Sequence, residues 1–341
     1  MEDKLKNKPK SLITKEPNGL KIVFFGTPKI SAVVLEALIE AGFTIPLIIT
    51  RASKPIGRKK IVTPTPVKQV AQKYKIPISI PAKLKDNPEL ILKLKDIDPD
   101  LIVVAAYGKI IPNEILNLPK CGVINVHPSL LPKYRGAAPI HFPILRGEEK
   151  TGVTIIKMSE GLDEGDIISQ SQIPIEKNDT AESMIDKLSE LASRLLVATI
   201  PPYVKWQTNK KSSNNFQLST LNFQLFLPPK PQDHTKATYT AMLSKESGRI
   251  DPKNPPNPKT FDLMIRAYYP WPGVWTELEI KSQRNKESKK MRIKFLPNGL
   301  RAQEPNNPIM IQPEGKKQMK VTEFLNGYPQ FKQLMEQLGL A

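Results

Sequence analysis

Asn125 and His127 stand two residues apart in the stretch Asn125-Val126-His127-Pro128-Ser129-Leu130-Leu131-Pro132-Lys133-Tyr134-Arg135-Gly136. The strand-like run Gly122 to Val126 carries Asn125 and ends just before His127, and strand periodicity puts residues i and i+2 on one face. In an open parallel sheet, ligands bind beyond the carboxyl ends of the strands. An amide and an imidazole together at such an edge suit acyl transfer. One can bind the oxygen that becomes negative, and the other can also move a proton. Taken singly, each residue is better read as the polar cap of a strand end. The second piece is Met158-Ser159-Glu160-Gly161-Leu162-Asp163-Glu164-Gly165-Asp166, a glycine-bracketed acidic loop between strand-like runs. It reads as a turn or a divalent-metal loop. The metal reading is the weaker, because no His or Cys stands at ligand spacing.

The elements that must position these residues follow from the pattern. Lys21-Ile22-Val23-Phe24-Phe25 reads as a buried strand, and Gly26-Thr27-Pro28 turns out of it. A helix through Val33, Val34, Leu35, Ala37 and Leu38 stops at Gly42, and Ile45 to Ile49 is the next strand. This βαβ unit predicts a parallel sheet with right-handed crossovers. Its first turn lacks the Gly-x-Gly-x-x-Gly pattern, so a dinucleotide site has weak support. Helices are expected over Val67 to Tyr74, Pro88 to Lys95 and Thr180 to Val204, with Thr180 as N-cap. Further strands are expected at Leu101 to Ala105, Val153 to Lys157 and Ile167 to Ile173.

Residues 51–60, Arg51-Ala52-Ser53-Lys54-Pro55-Ile56-Gly57-Arg58-Lys59-Lys60, read as a basic loop without acids. Residues 206–236 are rich in Asn, Gln, Ser, Lys and Pro and contain a near-duplication, Asn215-Phe216-Gln217-Leu218 and Asn222-Phe223-Gln224-Leu225. They read as a linker with an insertion. Beyond it, a helix at Thr260 to Tyr268 and short strand-like pieces suggest a small, mainly β barrel. The expected organisation is a flexible tail over 1–20, a catalytic domain over 21–205, the linker over 206–236 and a second domain over 237–341.

Bulk composition narrows the class. Hydrophobic residues make up 39% of the 341, enough for a packed core, and 34 prolines signal many turns. Lys and Arg number 51 against 33 Asp and Glu, a net charge of +18 that favours polyanionic partners. Cys121 is the single cysteine, so no internal disulfide can form; it reads as a small core residue. No apolar run is long enough to cross a bilayer, and the Lys-rich start lacks an apolar signal core. A cytoplasmic protein is expected.

The motifs together resemble the 10-formyltetrahydrofolate-dependent formyltransferases, and within them the members that act on methionyl-tRNA. The resemblance rests on Phe25-Gly26-Thr27-Pro28, Ala106-Tyr107-Gly108-Lys109-Ile110-Ile111-Pro112, Asn125 through Pro132, Arg135-Gly136-Ala137-Ala138-Pro139-Ile140, and Gly152-Val153-Thr154 through Gly161-Leu162-Asp163-Glu164-Gly165-Asp166. It implies a Rossmann-like, mostly parallel sheet carrying the catalytic domain, followed by a small OB-like β-barrel domain. It implies Asn125, His127 and Asp163 as the catalytic set. Asn125 and His127 then stabilise the oxyanion, while Asp163 orients His127, favours its protonated form and helps pass a proton. The formyl donor would be 10-formyltetrahydrofolate, lying along Ser129, Leu130, Leu131 and Pro132 and the Tyr107-Gly108 turn, with no metal.

The acceptor implied is initiator methionyl-tRNA, met by a monomer without membrane partners. Arg58 matches the arginine of the family's basic tRNA loop, with Arg51, Lys54, Lys59 and Lys60 around it. Lys289, Lys290 and Arg292 belong to a basic run in the second domain. Trp271 and Trp275 read as core, because prolines pin the surrounding turns. Rival readings are a glycinamide-ribonucleotide formyltransferase, a formyl-folate hydrolase, a nucleotide-sugar formyltransferase, and a non-catalytic nucleic-acid-binding protein on the same scaffold.

Overall fold

The computed structural model describes residues 19–56, 61–209, 216–219, 223–281, 288–297 and 309–341. Most of the expected tail lies outside them. The first apolar run forms β1 (Lys21–Gly26), which feeds α1 (Lys29–Glu40) and returns as β2 (Thr44–Ile49). Two three-residue strands follow, β3 (Lys54–Ile56) and β4 (Ile61–Thr63), paired antiparallel with Pro55 opposite Val62. The basic segment expected as a plain loop therefore leaves and returns as a β-ribbon. Next come α2 (Pro66–Lys73), β5 (Ile78–Ser79), α3 (Pro88–Ile97) and β6 (Leu101–Ala105). The helix starts are the ones their sequences favour: Thr65 and Asn87 cap α2 and α3 through side-chain oxygens, each followed by Pro at the first turn.

The chain continues through α4 (Asn113–Leu116), β7 (Val123–His127), β8 (Arg135–Gly136), α5 (His141–Leu145), β9 (Lys150–Lys157), β10 (Ile167–Pro174) and α6 (Ala181–Thr208). Thr180 Oγ1 accepts the Ser183 N–H at 3.2 Å, the expected cap of α6. The described residues of 206–236 include regular elements. Their first residues finish α6, and β11 (Phe216–Ser219) and β12 (Phe223–Lys230) pair antiparallel, with β12 joining β10. The alternating Phe-Gln-Leu pattern is a strand pattern, and Leu225 and Leu227 are buried by it.

Among the described residues the large sheet runs β11-β12-β10-β9-β7-β6-β1-β2-β5. The pairs β5–β2, β2–β1, β1–β6 and β6–β7 are parallel, and β9 is antiparallel to β7. The chain leaves β1 first towards β2 and β5, then crosses back to β6 and β7. The strand order thus reverses between β1 and β6, which makes their carboxyl ends the switch point where such sheets bind ligands. The central strands are apolar on both faces: Val23, Phe24, Phe25, Leu47, Ile102 and Val103 have no exposed surface. Each such side chain contributes about 1.5–3 kcal/mol by leaving water.

The described chain falls into two compact units. One comprises residues 1–135, 152–173 and 186–238; the other comprises 136–151, 174–185 and 239–341. The second holds β13 (Tyr239–Thr240), α7 (Pro258–Tyr268), and an antiparallel sheet of β14 (Val274–Lys281), β15 (Ser288–Leu296), β16 (Met310–Pro313) and β17 (Met319–Lys320) in that order. Short helices α8 (Val321–Gly327) and α9 (Lys332–Gln337) end it. Its core gathers Phe261, Ile265, Val274, Ile293, Phe295, Ile311 and Phe324.

Trp275 is buried as expected, but Trp271 is 54% exposed. Gly273 N–H closes the turn onto Tyr268 O at 2.8 Å, which leaves Trp271 at the tip and outside the core. No described helix is long and apolar enough to cross a membrane.

Candidate functional site

At the switch point, the turns after β1 and β6 are tied together. Ser31 Oγ donates to Ala105 O at 2.6 Å and Thr27 Oγ1 donates to Tyr107 O at 3.4 Å. A Cβ at Gly26 would meet Phe24, Ser31 and the Ala105 carbonyl, so glycine is needed for this close approach. Ala106 takes φ 43° and Gly108 φ 78°, so the chain turns sharply out of β6. The Tyr107 ring goes inward, edge-on to Phe25 with centroids 5.3 Å apart. Burial pushes its hydroxyl up to about 12, so it stays neutral. Gly108 is exposed, and the Arg51 guanidinium lies close beside it.

Asn125 and His127 project from the carboxyl end of β7 as strand alternation requires, and both meet Asp163. Asn125 Nδ2 is 3.5 Å from Asp163 Oδ1, across a sequence separation of 38 residues. His127 Nδ1 is 3.6 Å from Asp163 Oδ2, with the imidazole buried and the carboxylate 14% exposed. Both contacts are long, so neither donor is tightly committed to the carboxylate. His127 Nε2 lies 3.0 Å from Tyr134 O. A carbonyl can only accept, so Nε2 carries its hydrogen and Nδ1 is the nitrogen that faces Asp163.

The acidic loop reaches this position because of Gly165. A Cβ there would overlap the Lys157 carbonyl, while Lys157 N–H donates to Asp166 O at 2.9 Å. The loop is thereby pinned to the end of β9. Asp163 itself sits at φ 52°. Asn113 Nδ2 donates to Glu160 Oε1 at 2.5 Å, tying the loop to the start of α4.

The segment after His127 is also held by polar contacts. Thr154 Oγ1 donates to Ser129 O at 2.6 Å and accepts the Leu131 N–H at 3.1 Å. Gln170 Nε2 donates to Leu131 O at 3.0 Å and to Thr154 Oγ1 at 2.9 Å. Ser129 is buried, with its hydroxyl donated to Lys133 O at 2.8 Å. Leu131 packs with Ile156 and Ile167. Leu130 and Pro132 remain half-buried and present apolar surface. Of the residues expected to line a folate, Leu130, Pro132 and Gly108 thus have surface to offer. The side chains of Ser129, Leu131 and Tyr107 shape the backbone from behind. Among the described residues no group of His, Cys and carboxylates could hold a metal ion.

The candidate nucleic-acid residues are more scattered. Lys54 is exposed on β3 and Arg51 is half-buried beside Gly108. Arg58, Lys59 and Lys60 lie outside the described residues. Lys289 and Lys290 are exposed on β15. Arg292 is engaged internally: Nη2 donates to Glu277 Oε1 at 2.7 Å and Cζ lies 4.5 Å from the Trp275 ring centroid. Arg249 and Lys245 cover the same ring, each at 5.6 Å.

Sequence reasoning assigned no role to Gln232, Thr154, Gln170 or the Tyr134 carbonyl. Arg135 stood in a motif but was given no task. Tyr134 and Thr154 also stood in motif stretches, but nothing in the sequence flagged Gln170 or Gln232, which meets Arg135 across 97 positions.

Comparison with known proteins places these features in context. Residues 20–200 match the family model described as "Formyl transferase". The chain is similar to a methionyl-tRNA formyltransferase of Halalkalibacterium halodurans, 39% identical over 90% of this chain and 95% of the relative. It is similar to a methionyl-tRNA formyltransferase of Caldicellulosiruptor saccharolyticus, 39% identical over 91% of this chain and 97% of that one. Among solved structures, a sugar N-formyltransferase from Shewanella sp. shares the fold with a TM-score of 0.54 at 16% identity, covering 79% of this chain and 95% of its own.

Proposed function

The chain belongs to the methionyl-tRNA formyltransferases, and we propose that Asn125, His127 and Asp163 carry the reaction of that family, formyl transfer from 10-formyltetrahydrofolate to the α-amine of initiator methionyl-tRNA. The single observation that carries the residue assignment is their convergence. An amide N–H and an imidazole nitrogen face the two oxygens of one carboxylate at 3.5 and 3.6 Å, at the carboxyl edge of β7.

The folate supplies the formyl group on N10. The attacking amine forms a bond to the formyl carbon, the bond from that carbon to N10 breaks, and a proton passes from the amine to N10. Negative charge collects meanwhile on the formyl oxygen. Asn125 Nδ2 donates to that oxygen, and His127 donates through Nδ1 when the ring is protonated, because Nε2 is already held by Tyr134 O. Asp163 accepts the amine proton or relays it, lying within reach of both donors. Leu130, Pro132 and the Gly108 turn form the apolar side of the folate site, with Thr154 and Gln170 fixing the backbone beneath them.

The acceptor reading adds Arg51, Lys54 on β3, the neighbouring sequence Arg58-Lys59-Lys60, and Lys289 and Lys290 on β15. Support comes from the net charge of +18 and the exposure of Lys54, Lys289 and Lys290. Arg292 acts there by holding Trp275 rather than by reaching phosphate. The antiparallel sheet β14–β17 with its own core supports an OB-like second domain.

Formylation is tested by incubating the protein with 10-formyltetrahydrofolate and charged initiator tRNA and measuring formylmethionine. Free methionine and glycinamide ribonucleotide serve as alternative acceptors. Efficient formylation of either small acceptor, with none of the charged tRNA, defeats this reading.

A further inference from the structure

Arg135 has no exposed surface and is the largest such side chain among the described residues. A guanidinium taken wholly out of water is costly unless it is hydrogen-bonded throughout. Its Nε and Nη2 donate to Gln232 Oε1 at 3.2 and 2.7 Å. Nη1 and Nη2 each lie 3.4 Å from His234 Nδ1, and Nη1 lies 3.6 Å from Glu164 Oε2.

Gln232, itself buried, faces the other way with its nitrogen. Its Nε2 donates to Asp163 O at 2.8 Å and to Gly165 O at 2.7 Å. Both N–H groups of the amide therefore hold the carbonyls on either side of Glu164, and its oxygen takes two bonds from Arg135. This is the full capacity of a primary amide. The orientation of the amide is fixed as well, since a flipped amide would point N–H groups at a guanidinium and an oxygen at two carbonyls.

The held peptide is the one that needs holding. Asp163 occupies left-handed backbone at φ 52°, a conformation that persists in a non-glycine residue only when its surroundings over-determine it. Released, the peptide would rotate and carry the carboxylate away from His127 and Asn125. The preceding residue on the Arg135 side completes the arrangement: Tyr134, at φ 64°, gives its carbonyl to His127 Nε2 at 3.0 Å. One dipeptide thus braces the imidazole directly and the carboxylate through Gln232.

We propose that Gln232, locked in orientation by Arg135, is the positioning residue that sets Asp163 against His127 and Asn125. This rests on the reading that Asp163 takes part in the reaction. The test is a double-mutant cycle on the full chain, with turnover measured on initiator methionyl-tRNA and 10-formyltetrahydrofolate and folding followed by circular dichroism. Gln232→Met keeps side-chain length and removes every hydrogen bond. Gln232→Glu keeps acceptor oxygens for Arg135 and removes both donors, so the guanidinium is not stranded should the Met variant fail to fold.

Each variant should lose roughly 10–100-fold in kcat, with KM for the tRNA changed by less than about threefold. In an Asp163→Asn background the same substitutions should cost less than about threefold, because the group they position is gone. Full additivity, a parent-like kcat beside an impaired Asp163→Asn, or a loss that only tracks the folded fraction overturns the positioning role. A parent-like kcat in Asp163→Asn alone overturns instead the catalytic reading on which it rests, and the proposal with it.

Discussion

Asn125→Ala separates catalysis from folding more cleanly than any other change in the site. Asn125 is half-buried, and its recorded hydrogen bond is the 3.5 Å contact to Asp163. Such a contact is at the weak end of the range, so deleting it should cost less than about 1 kcal/mol of stability. The amide lies at the end of β7 and its removal strands no buried donor. As an oxyanion donor, by contrast, the same N–H is worth about 3–4 kcal/mol in the barrier, a loss of roughly 100–1000-fold in kcat. Single-turnover transfer of labelled formyl to charged initiator tRNA, beside a thermal melt, reads both numbers on one preparation. Asn125→Asp should be no better, since it also sets a second carboxylate against Asp163. The reasoning fails if folded Asn125→Ala keeps kcat within about tenfold of the parent, or if the whole loss lies in KM.

Other expectations follow from individual contacts. Gly165→Ala places a Cβ on the Lys157 carbonyl, so it should cost about 1–3 kcal/mol of stability and lower kcat through displacement of Asp163; denaturant melts and turnover check both. Burial pushes the His141 imidazole below its ordinary value, and its Nδ1 has no partner. Stability from the neutral ring is therefore full above the unfolded value of about 6.5 and is lost as pH falls through the lowered folded value. Urea melts should show His141→Gln losing less stability than the parent between about pH 7.5 and pH 5. Lys54→Ala should weaken tRNA binding at low salt and reduce the slope of log K against log salt by about 1; an unchanged slope removes Lys54 from the interface.

What could be read from the chain alone divides by the range of the interaction. β1 and β6 are near-continuous apolar runs and β7 an apolar strand carrying Asn125 and His127, and their bounds shift by at most a residue from the expected ones. Asn125 and His127 share a face because strand periodicity is local. Their meeting with Asp163 spans 38 residues and is not local; only the family resemblance pointed to it. Trp271 was misplaced because its outward direction depends on the Gly273–Tyr268 closure rather than on neighbouring prolines. The ribbon of β3 and β4 and the sheet edge at β11 and β12 were hidden by the basic and polar residues around them, although the Phe-Gln-Leu alternation of β12 buries Leu225 and Leu227. Nothing local marks Gln232, whose task depends on Arg135, Asp163 and Gly165, all of them far back along the chain.

Three non-glycine residues around the site, Ala106, Tyr134 and Asp163, take left-handed backbone. At about 1–2 kcal/mol each, the sum approaches the lower end of a domain's net stability. Each kinked peptide does something that regular backbone could not. Ala106 turns the chain at the switch point so that Tyr107 enters the core while Gly108 is left exposed. Tyr134 turns its carbonyl back onto His127, with its own N–H accepted by Thr238 Oγ1 at 2.8 Å. Asp163 aims its carboxylate at β7 while Gln232 holds its carbonyl. The compensating bonds come from Thr238 and Gln232, both in the segment that returns after β12, so the loops bearing His127 and Asp163 share a single support. A substitution in that segment should therefore disturb imidazole and carboxylate together, whereas a change in Thr154 or Gln170 should act on the Ser129–Leu131 backbone and on folate affinity alone. The two classes of variant separate on kcat against KM for the folate, and a Thr154 variant that lowered only kcat would contradict this division of labour.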